Sequence, residues 1–113
     1  MFNDVKIVDD VAIIKVHGNV LDALSAREFR QDVVKLSEQG FKSFIIDLST
    51  ISFIDSAGLG VIILLHKTTG AEGNIALCGV QKRVHDVLHM VNMKHLISID
   101  NTVDAALQKI HAT

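Results

Sequence analysis

The stretch Ile51-Ser-Phe-Ile-Asp-Ser-Ala-Gly-Leu-Gly60 separates two apolar segments and decides how the chain folds. The segment Phe44–Leu48 precedes it and is too short for a helix, which predicts a strand buried on both faces. The run Leu59–Leu65 is apolar nearly all round, which predicts a buried helix. An acidic residue, a hydroxyl and two glycines therefore lie where a strand passes into a helix. A side chain at such a junction is exposed beside unpaired backbone N–H groups and the positive end of the helix dipole.

The rest of the chain alternates between strand and helix patterns. We predict a hairpin of strands at Val5–Val8 and Val11–Val16, joined at Asp9-Asp10. Ser25 and Glu28 form a capping-box pattern that predicts the start of a first helix, which ends at Gly40. In the second half of the chain we predict a strand, a helix, a strand and a helix, at Asn74–Cys78, Val80–Val91, Leu96–Ile99 and, capped by Asn101 or Thr102, Val103–Ile110.

This order of elements predicts the fold class. Repeated strand–helix units favour an α/β fold with a small mixed, largely parallel sheet of four to five strands and about four helices. No linker or repeat divides the chain, so we expect a single domain over residues 1–113. The carboxyl edge of the sheet, where functional loops gather in open α/β folds, would carry residues 18–22, 49–56 and 79–81.

Composition narrows the class of function. Of the 113 residues, 49% are apolar and 21% charged, which predicts a folded globule. The net charge of −2 leaves no excess of Lys and Arg to displace the counterions of nucleic-acid phosphates, so we expect no nucleic-acid binding. The single cysteine, Cys78, excludes a disulfide within the chain and fits a reducing cytoplasm. The apolar run Val61–Leu65 is far below the roughly 18 residues that span a bilayer, so we expect a cytoplasmic protein without membrane insertion. No long apolar stripe is left unassigned, which favours a monomer.

The spacing of residues alone leaves two explanations for the Asp, Ser and Gly residues at this strand–helix junction. Asp55 and Ser56 are residue types favoured at helix starts for capping, and Gly58 and Gly60 allow close helix–strand packing. However, each glycine weakens a helix by about 0.5–1 kcal/mol. Their presence in a first turn is also explained if another protein surface approaches this turn closely.

The octapeptide Phe53-Ile-Asp-Ser-Ala-Gly-Leu-Gly60 resembles the signature of the STAS domain in bacterial anti-sigma factor antagonists. In that family the segment between the third strand and second helix reads apolar-apolar-Asp-Ser-small-Gly-Leu-Gly. The strand–helix order, the chain length and the helix start at Val80–Val84 are also similar to the family over nearly the whole chain.

The resemblance implies a role for each residue of the motif. Ser56 would be the phosphoacceptor, and Asp55, Ala57, Gly58, Leu59 and Gly60 would belong with it to the partner-binding surface. The implied partner is an anti-sigma factor that is also a serine kinase of the histidine-kinase-like ATPase fold. The unphosphorylated chain would bind this kinase and free the sigma factor, and a separate serine phosphatase would restore the chain after phosphorylation. No cofactor is implied.

One segment departs from the family pattern. The family often carries Gly-Glu-Leu-Asp after the second strand, whereas this chain has Gly18-Asn-Val-Leu-Asp22, which places its acidic residue one position late. We retain Asp22 as a candidate for partner binding.

Other chemistry is weakly indicated. Ile54 replaces the first glycine of a Gly-x-Ser-x-Gly nucleophile elbow, and no phosphate-binding Gly-Lys-Ser/Thr loop exists. His85 and His89 have a metal-binding spacing but lack the Glu of His-Glu-x-x-His, which favours separate surface histidines. We therefore expect a binding module and not an enzyme. The alternative to an anti-sigma factor antagonist is a STAS subunit that regulates a membrane transporter or lipid-transport complex.

Overall fold

A computed structural model describes residues 1–70 and 73–112; positions 71, 72 and 113 of the predicted domain lie outside the described residues. This part of the chain forms seven strands: β1 (Asp4–Val8), β2 (Val11–Lys15), β3 (Val20–Leu21), β4 (Ser43–Asp47), β5 (Phe53–Ile54), β6 (Asn74–Cys78) and β7 (Ser98–Asp100). The main sheet has the order β1-β2-β4-β6-β7, and β3 pairs with β5 separately. Only β1 and β2 pair antiparallel within the main sheet.

Helices cover both faces of the main sheet. They are α1 (Ala23–Glu38), α2 (Ser56–Thr69), α3 (Lys82–Met90) and α4 (Val103–His111), with a short 3₁₀ turn at Met93–His95. The first three helices pack on one face, and α4 packs on the other. The predicted α/β fold with a mixed, largely parallel sheet and four helices is therefore confirmed.

Strand β4 lies at the centre of the sheet and is covered on both faces, as its apolar sequence predicts. Phe44 and Ile46 join the core under α1, α2 and α3, whereas Ile45 joins the smaller core under α4. All three side chains are fully buried. Burial of a side chain of this size contributes about 1.5–3 kcal/mol to stability, so β4 anchors both cores.

The predicted hairpin is confirmed. Val8 pairs with Val11 at the end of the β1–β2 ladder, and Asp9 takes the left-handed conformation with φ of 55° in the turn. Aspartate tolerates this conformation better than most residues, which explains its place there.

The predicted cap of α1 is wrong. Asp22, not Ser25, is the N-cap residue, and the helix begins at Ala23. The Asp22 carboxylate accepts a hydrogen bond from the Ser25 N–H, while the Ser25 hydroxyl accepts one from the Asp22 N–H. Ser25 therefore occupies the third helical position of a capping box, where it replaces the usual Glu or Gln.

Several short elements are absent from the sequence prediction. Strands β3 and β5 have two residues each, too few to show a period, and the 3₁₀ turn at Met93–His95 interrupts a segment without a clear pattern. Because of this turn, β7 begins at Ser98, two residues after the predicted start at Leu96. Helix α3 begins at Lys82, two residues after the predicted start, because Gln81 is extended with ψ of 158°. No helix in residues 1–70 and 73–112 combines the length and apolarity that crossing a membrane requires.

Candidate functional site

Three loops meet at the carboxyl edge of the main sheet, as predicted. The Thr50 hydroxyl donates to the carbonyl of Gly18 at 2.8 Å, and the Ser52 N–H donates to the carbonyl of Asn19 at 2.7 Å. The side-chain amide of Gln81 donates to the Ser49 carbonyl at 2.8 Å. These bonds join the loops after β2, β4 and β6 into one surface beside the start of α2.

Asp55 caps α2, which confirms the predicted helix start. Its Oδ1 accepts hydrogen bonds from the N–H groups of Ala57 at 2.9 Å and Gly58 at 3.2 Å. Its own backbone is extended, with φ of −103° and ψ of −173°. The side chain therefore satisfies two backbone donors that the helix itself cannot.

Ser56 is the first residue of α2 and is exposed. Among the described residues its hydroxyl has no hydrogen-bond partner, so no internal contact has to break for a group to be attached to Oγ. The helix dipole places partial positive charge at this turn, which favours an anion there. The position combines an exposed hydroxyl with a helix terminus that tolerates negative charge.

The two glycines of the motif have different surroundings. A Cβ on Gly58 would lie 2.8 Å from Ile54 Cγ1 and 2.9 Å from the backbone oxygen of Leu21. Gly58 is therefore required for close packing within the chain, which confirms the helix–strand packing explanation for this residue. A Cβ on Gly60 would meet nothing within 4 Å.

The remaining motif residues divide into an inner and an outer set. Ala57 and Leu59 are half-buried and pack against the main core, as Gly58 does against Leu21 and Ile54. Ser56 and Gly60 are exposed, and their separation of four residues places them on one face of the helix. The first turn of α2 therefore presents a small exposed face that consists of a hydroxyl and a glycine.

Asp22 lies beside this motif despite its shifted sequence position. Strands β3 and β5 pair in the register Leu21 with Ile54, so Asp22 and Asp55 follow matched residues. The pKa of Asp22 is lowered from its ordinary value, first by the hydrogen bond from the Ser25 N–H and then by that from the Ser25 hydroxyl. Its carboxylate is exposed and stays charged at neutral pH.

Two apolar residues at the motif and beside it are exposed, and their exposure was not predicted. Phe53 is 42% exposed and Leu24 is 68% exposed. Phe53 lies two positions before Asp55, and Leu24 lies two positions after Asp22. The sequence shows their apolar character but not their direction, because β5 is too short for its alternation to show which residue faces solvent. Exposed apolar side chains with polar groups beside them are typical of protein-binding surfaces.

No group of three or more His, Cys, Asp or Glu residues that could hold a metal occurs within the ranges 1–70 and 73–112. The site is a surface on which hydroxyl, carboxylate and apolar groups alternate, and it fits contact with another protein.

Known proteins with similar sequences and structures identify the family of this chain. The family model of the STAS domain matches residues 3–106. An anti-sigma factor antagonist homologue of Thermotoga neapolitana is 31% identical over 107 residues, which cover 93% of this chain and 94% of the relative. The crystal structure of an anti-sigma factor antagonist from Thermotoga maritima superposes with a TM-score of 0.88 at 29% identity, covering 96% of this chain and 94% of the other.

A more distant structure shows the same fold. The anti-sigma factor antagonist SpoIIAA in its unphosphorylated form has a TM-score of 0.83 at 19% identity, covering 98% of this chain and 97% of that protein. SpoIIAA from Bacillus has also been solved in a phosphorylated form. The chain belongs to the STAS domain family, within its anti-sigma factor antagonists. Members of this family are typically regulatory rather than catalytic.

Proposed function

We propose that this chain is the switch protein of a partner-switching pathway and that phosphorylation of Ser56 turns it off. In the unphosphorylated form it binds an anti-sigma factor that is also a serine kinase of the histidine-kinase-like ATPase fold, and the sigma factor is released. A separate serine phosphatase restores the binding form. The chain itself acts as a single STAS domain without enzyme activity or cofactor, in the cytoplasm and as a monomer.

The observation that carries this proposal is the state of the Ser56 side chain. It is exposed at the first position of α2, its hydroxyl has no partner among the described residues, and Asp55 provides the helix cap. The fold therefore does not depend on the hydroxyl. Phosphorylation adds about −1.5 to −2 charges and three acceptor oxygens, which the helix N-terminus tolerates.

The surroundings of Ser56 support a docking surface that a phosphate would disrupt. Gly60 leaves open space on the same face of α2, and Phe53 and Leu24 expose apolar surface nearby. A partner that packs over a small hydroxyl has no room for a phosphate, and the carboxylates of Asp55 and Asp22 repel one. The fold survives the modification while the contact with the partner fails.

Affinity capture from the native cell lysate tests this proposal. The baits are the wild-type chain, Ser56→Ala and Ser56→Asp, and retained proteins are identified by mass spectrometry. We expect the wild type and Ser56→Ala to retain a protein of the histidine-kinase-like ATPase fold and Ser56→Asp to lose it. Recovery of transporter subunits by all three baits would contradict the proposal and favour the alternative of a transporter-regulating STAS subunit.

A further inference from the structure

Helix α3 presents two histidines on its solvent-facing side. Val84 and Leu88 of this helix are fully buried, and each is followed by an exposed histidine, His85 and His89. The buried pair fixes the helix against the core, so the exposed pair is held on a rigid element. A separation of four residues places both imidazoles one above the other on the helix surface.

The two rings lie close together and are stacked. Their centroids are 6.5 Å apart and their planes differ by only 8°. Within the part of the chain that the structure describes, neither imidazole forms a hydrogen bond or an ion pair. Two of the other four histidines have a carboxylate nearby: His17 lies 3.1 Å from an oxygen of Asp4, and His111 lies 3.8 Å from one of Asp9. His85 and His89 therefore keep their ring nitrogens available.

We propose that His85 and His89 form a two-histidine clamp for a divalent transition-metal ion. Imidazole lone pairs lie in the plane of the ring, so both exposed side chains must rotate from the stacked arrangement to direct one nitrogen each at a common ion, at metal–nitrogen distances of about 2.0–2.1 Å. Because the helix is fixed by Val84 and Leu88, binding orders only side-chain torsions and no backbone. The sequence pattern alone favours separate surface histidines; the shared exposed face, the proximity of the two rings and the lack of a partner for either imidazole among the described residues favour a chelating pair.

The ligand type selects the class of metal. Neutral imidazole suits Cu²⁺, Ni²⁺ and Zn²⁺, whereas Mg²⁺ and Ca²⁺ prefer oxygen ligands. Two protein ligands leave coordination positions for water. The Glu that acts as general base in His-Glu-x-x-His is absent, because Asp86, Val87 and Leu88 lie between the histidines. The clamp is thus a binding site and not a hydrolytic centre.

Calorimetric titration of the tag-free, metal-stripped chain with ZnCl₂ tests the clamp, with NiCl₂ as a second probe and MgCl₂ as a negative control. We expect one dominant site for Zn²⁺ and none for Mg²⁺. His85→Gln and His89→Gln should each weaken Zn²⁺ binding by roughly tenfold or more, since loss of even an outer-shell partner costs 10–100-fold. His17→Gln removes a histidine paired with a carboxylate and should leave the affinity unchanged.

Thermal unfolding provides an independent readout. Zn²⁺ should raise the unfolding midpoint of the wild type and of His17→Gln, because a ligand that binds only the folded state stabilises it. It should not raise that of His85→Gln or His89→Gln, whose midpoints without metal should match the wild type because both positions are exposed. Equal Zn²⁺ affinity in wild type and His85→Gln, or loss of the site in His17→Gln, would overturn the proposal.

Discussion

Asp22 and Asp55 hold matching positions at the ends of two paired strands, and each caps a helix. Leu21 pairs with Ile54 in the β3–β5 ladder, and the Asp55 N–H donates to the Leu21 carbonyl at 3.2 Å. The N-termini of α1 and α2 therefore begin side by side at one edge of the molecule. Ser56 follows Asp55 directly, so a phosphate on Ser56 would lie beside the Asp55 carboxylate as well as at the positive end of the helix dipole.

Asp55 stabilises α2 either through its capping oxygen or through its negative charge, and two substitutions distinguish these roles. Asp55→Ala should reduce the free energy of unfolding by about 0.5–2 kcal/mol, because the N–H groups of Ala57 and Gly58 lose their acceptor. Asp55→Asn keeps a capping oxygen and removes the charge, so its free energy of unfolding should stay close to the wild-type value. Urea unfolding of both variants measures this difference. Equal destabilisation by Ala and Asn would show that the charge, and not the cap, stabilises the helix.

The same substitution at the two glycines of the motif should have opposite effects on stability. Gly58→Ala places a methyl group against the backbone oxygen of Leu21 and should destabilise the fold by about 1–3 kcal/mol. Gly60→Ala enters open space within a helix and should stabilise the fold by about 0.5–1 kcal/mol. Thermal or urea unfolding of the two variants tests the opposite signs.

Gly60→Ala also probes the proposed docking surface. If a partner packs over the exposed face of Ser56 and Gly60, the added methyl group should weaken that contact although the free protein becomes more stable. Binding to the captured kinase, measured by biolayer interferometry, should therefore be weaker for Gly60→Ala than for the wild type. Wild-type affinity in this variant would place the docking surface away from this face.

The thiol of Cys78 should make stability depend on alkaline pH. Burial, followed by repulsion from the carboxylates of Asp47 and Asp100, raises its pKa from 9.0 to about 12. Above pH 9 the unfolded chain loses the thiol proton while the folded chain keeps it, so unfolding becomes more favourable as the pH rises. Between pH 9 and about pH 12 the free energy of unfolding should therefore fall, with a slope that approaches about 1.4 kcal/mol per pH unit from this group alone.

Cys78→Ala is the control for this prediction, because it removes the thiol and leaves every other ionisable group in place. Urea unfolding between pH 8 and pH 10.5 should show a smaller decline for Cys78→Ala than for the wild type. Parallel declines in the two proteins would contradict the assignment. The buried thiol should also react slowly with a disulfide reagent at pH 7.5, since the thiolate is the reactive form.

The long periodic segments could be predicted from the sequence because each has a strong local signal. The strand Phe44–Leu48 is continuously apolar, and the cap at Asp55 follows from a short polar side chain before an apolar run. Thr102 was one of two candidate caps, and its hydroxyl accepts a hydrogen bond from the Ala105 N–H at 3.0 Å. Each of these features depends on residues close in sequence.

The features that escaped prediction depend on residues far apart in sequence. The β3–β5 pair joins residues 20–21 to residues 53–54, and only this pairing places Asp22 beside Asp55. The requirement for Gly58 comes from Leu21, which is likewise distant in the chain. The cap of α1 is a local exception: Ser25 followed by Glu28 is a common cap pattern, but the Asp22 carboxylate accepts the hydrogen bond from the Ser25 N–H and the helix begins three residues earlier. The exposure of Phe53 and Leu24 also follows only from tertiary packing.

The most direct test of the switch is phosphate transfer followed by a binding measurement. The purified chain is incubated with the captured kinase and ATP, the modified residue is identified by peptide mass spectrometry, and the kinase affinity and thermal midpoint are measured before and after. We predict that a single phosphate is attached to Ser56 and that the affinity for the kinase falls strongly. The thermal midpoint should stay high enough for the phosphorylated chain to remain folded at the assay temperature. Phosphate on another residue, or a Ser56-phosphorylated chain that binds the kinase with unchanged affinity, would contradict the account.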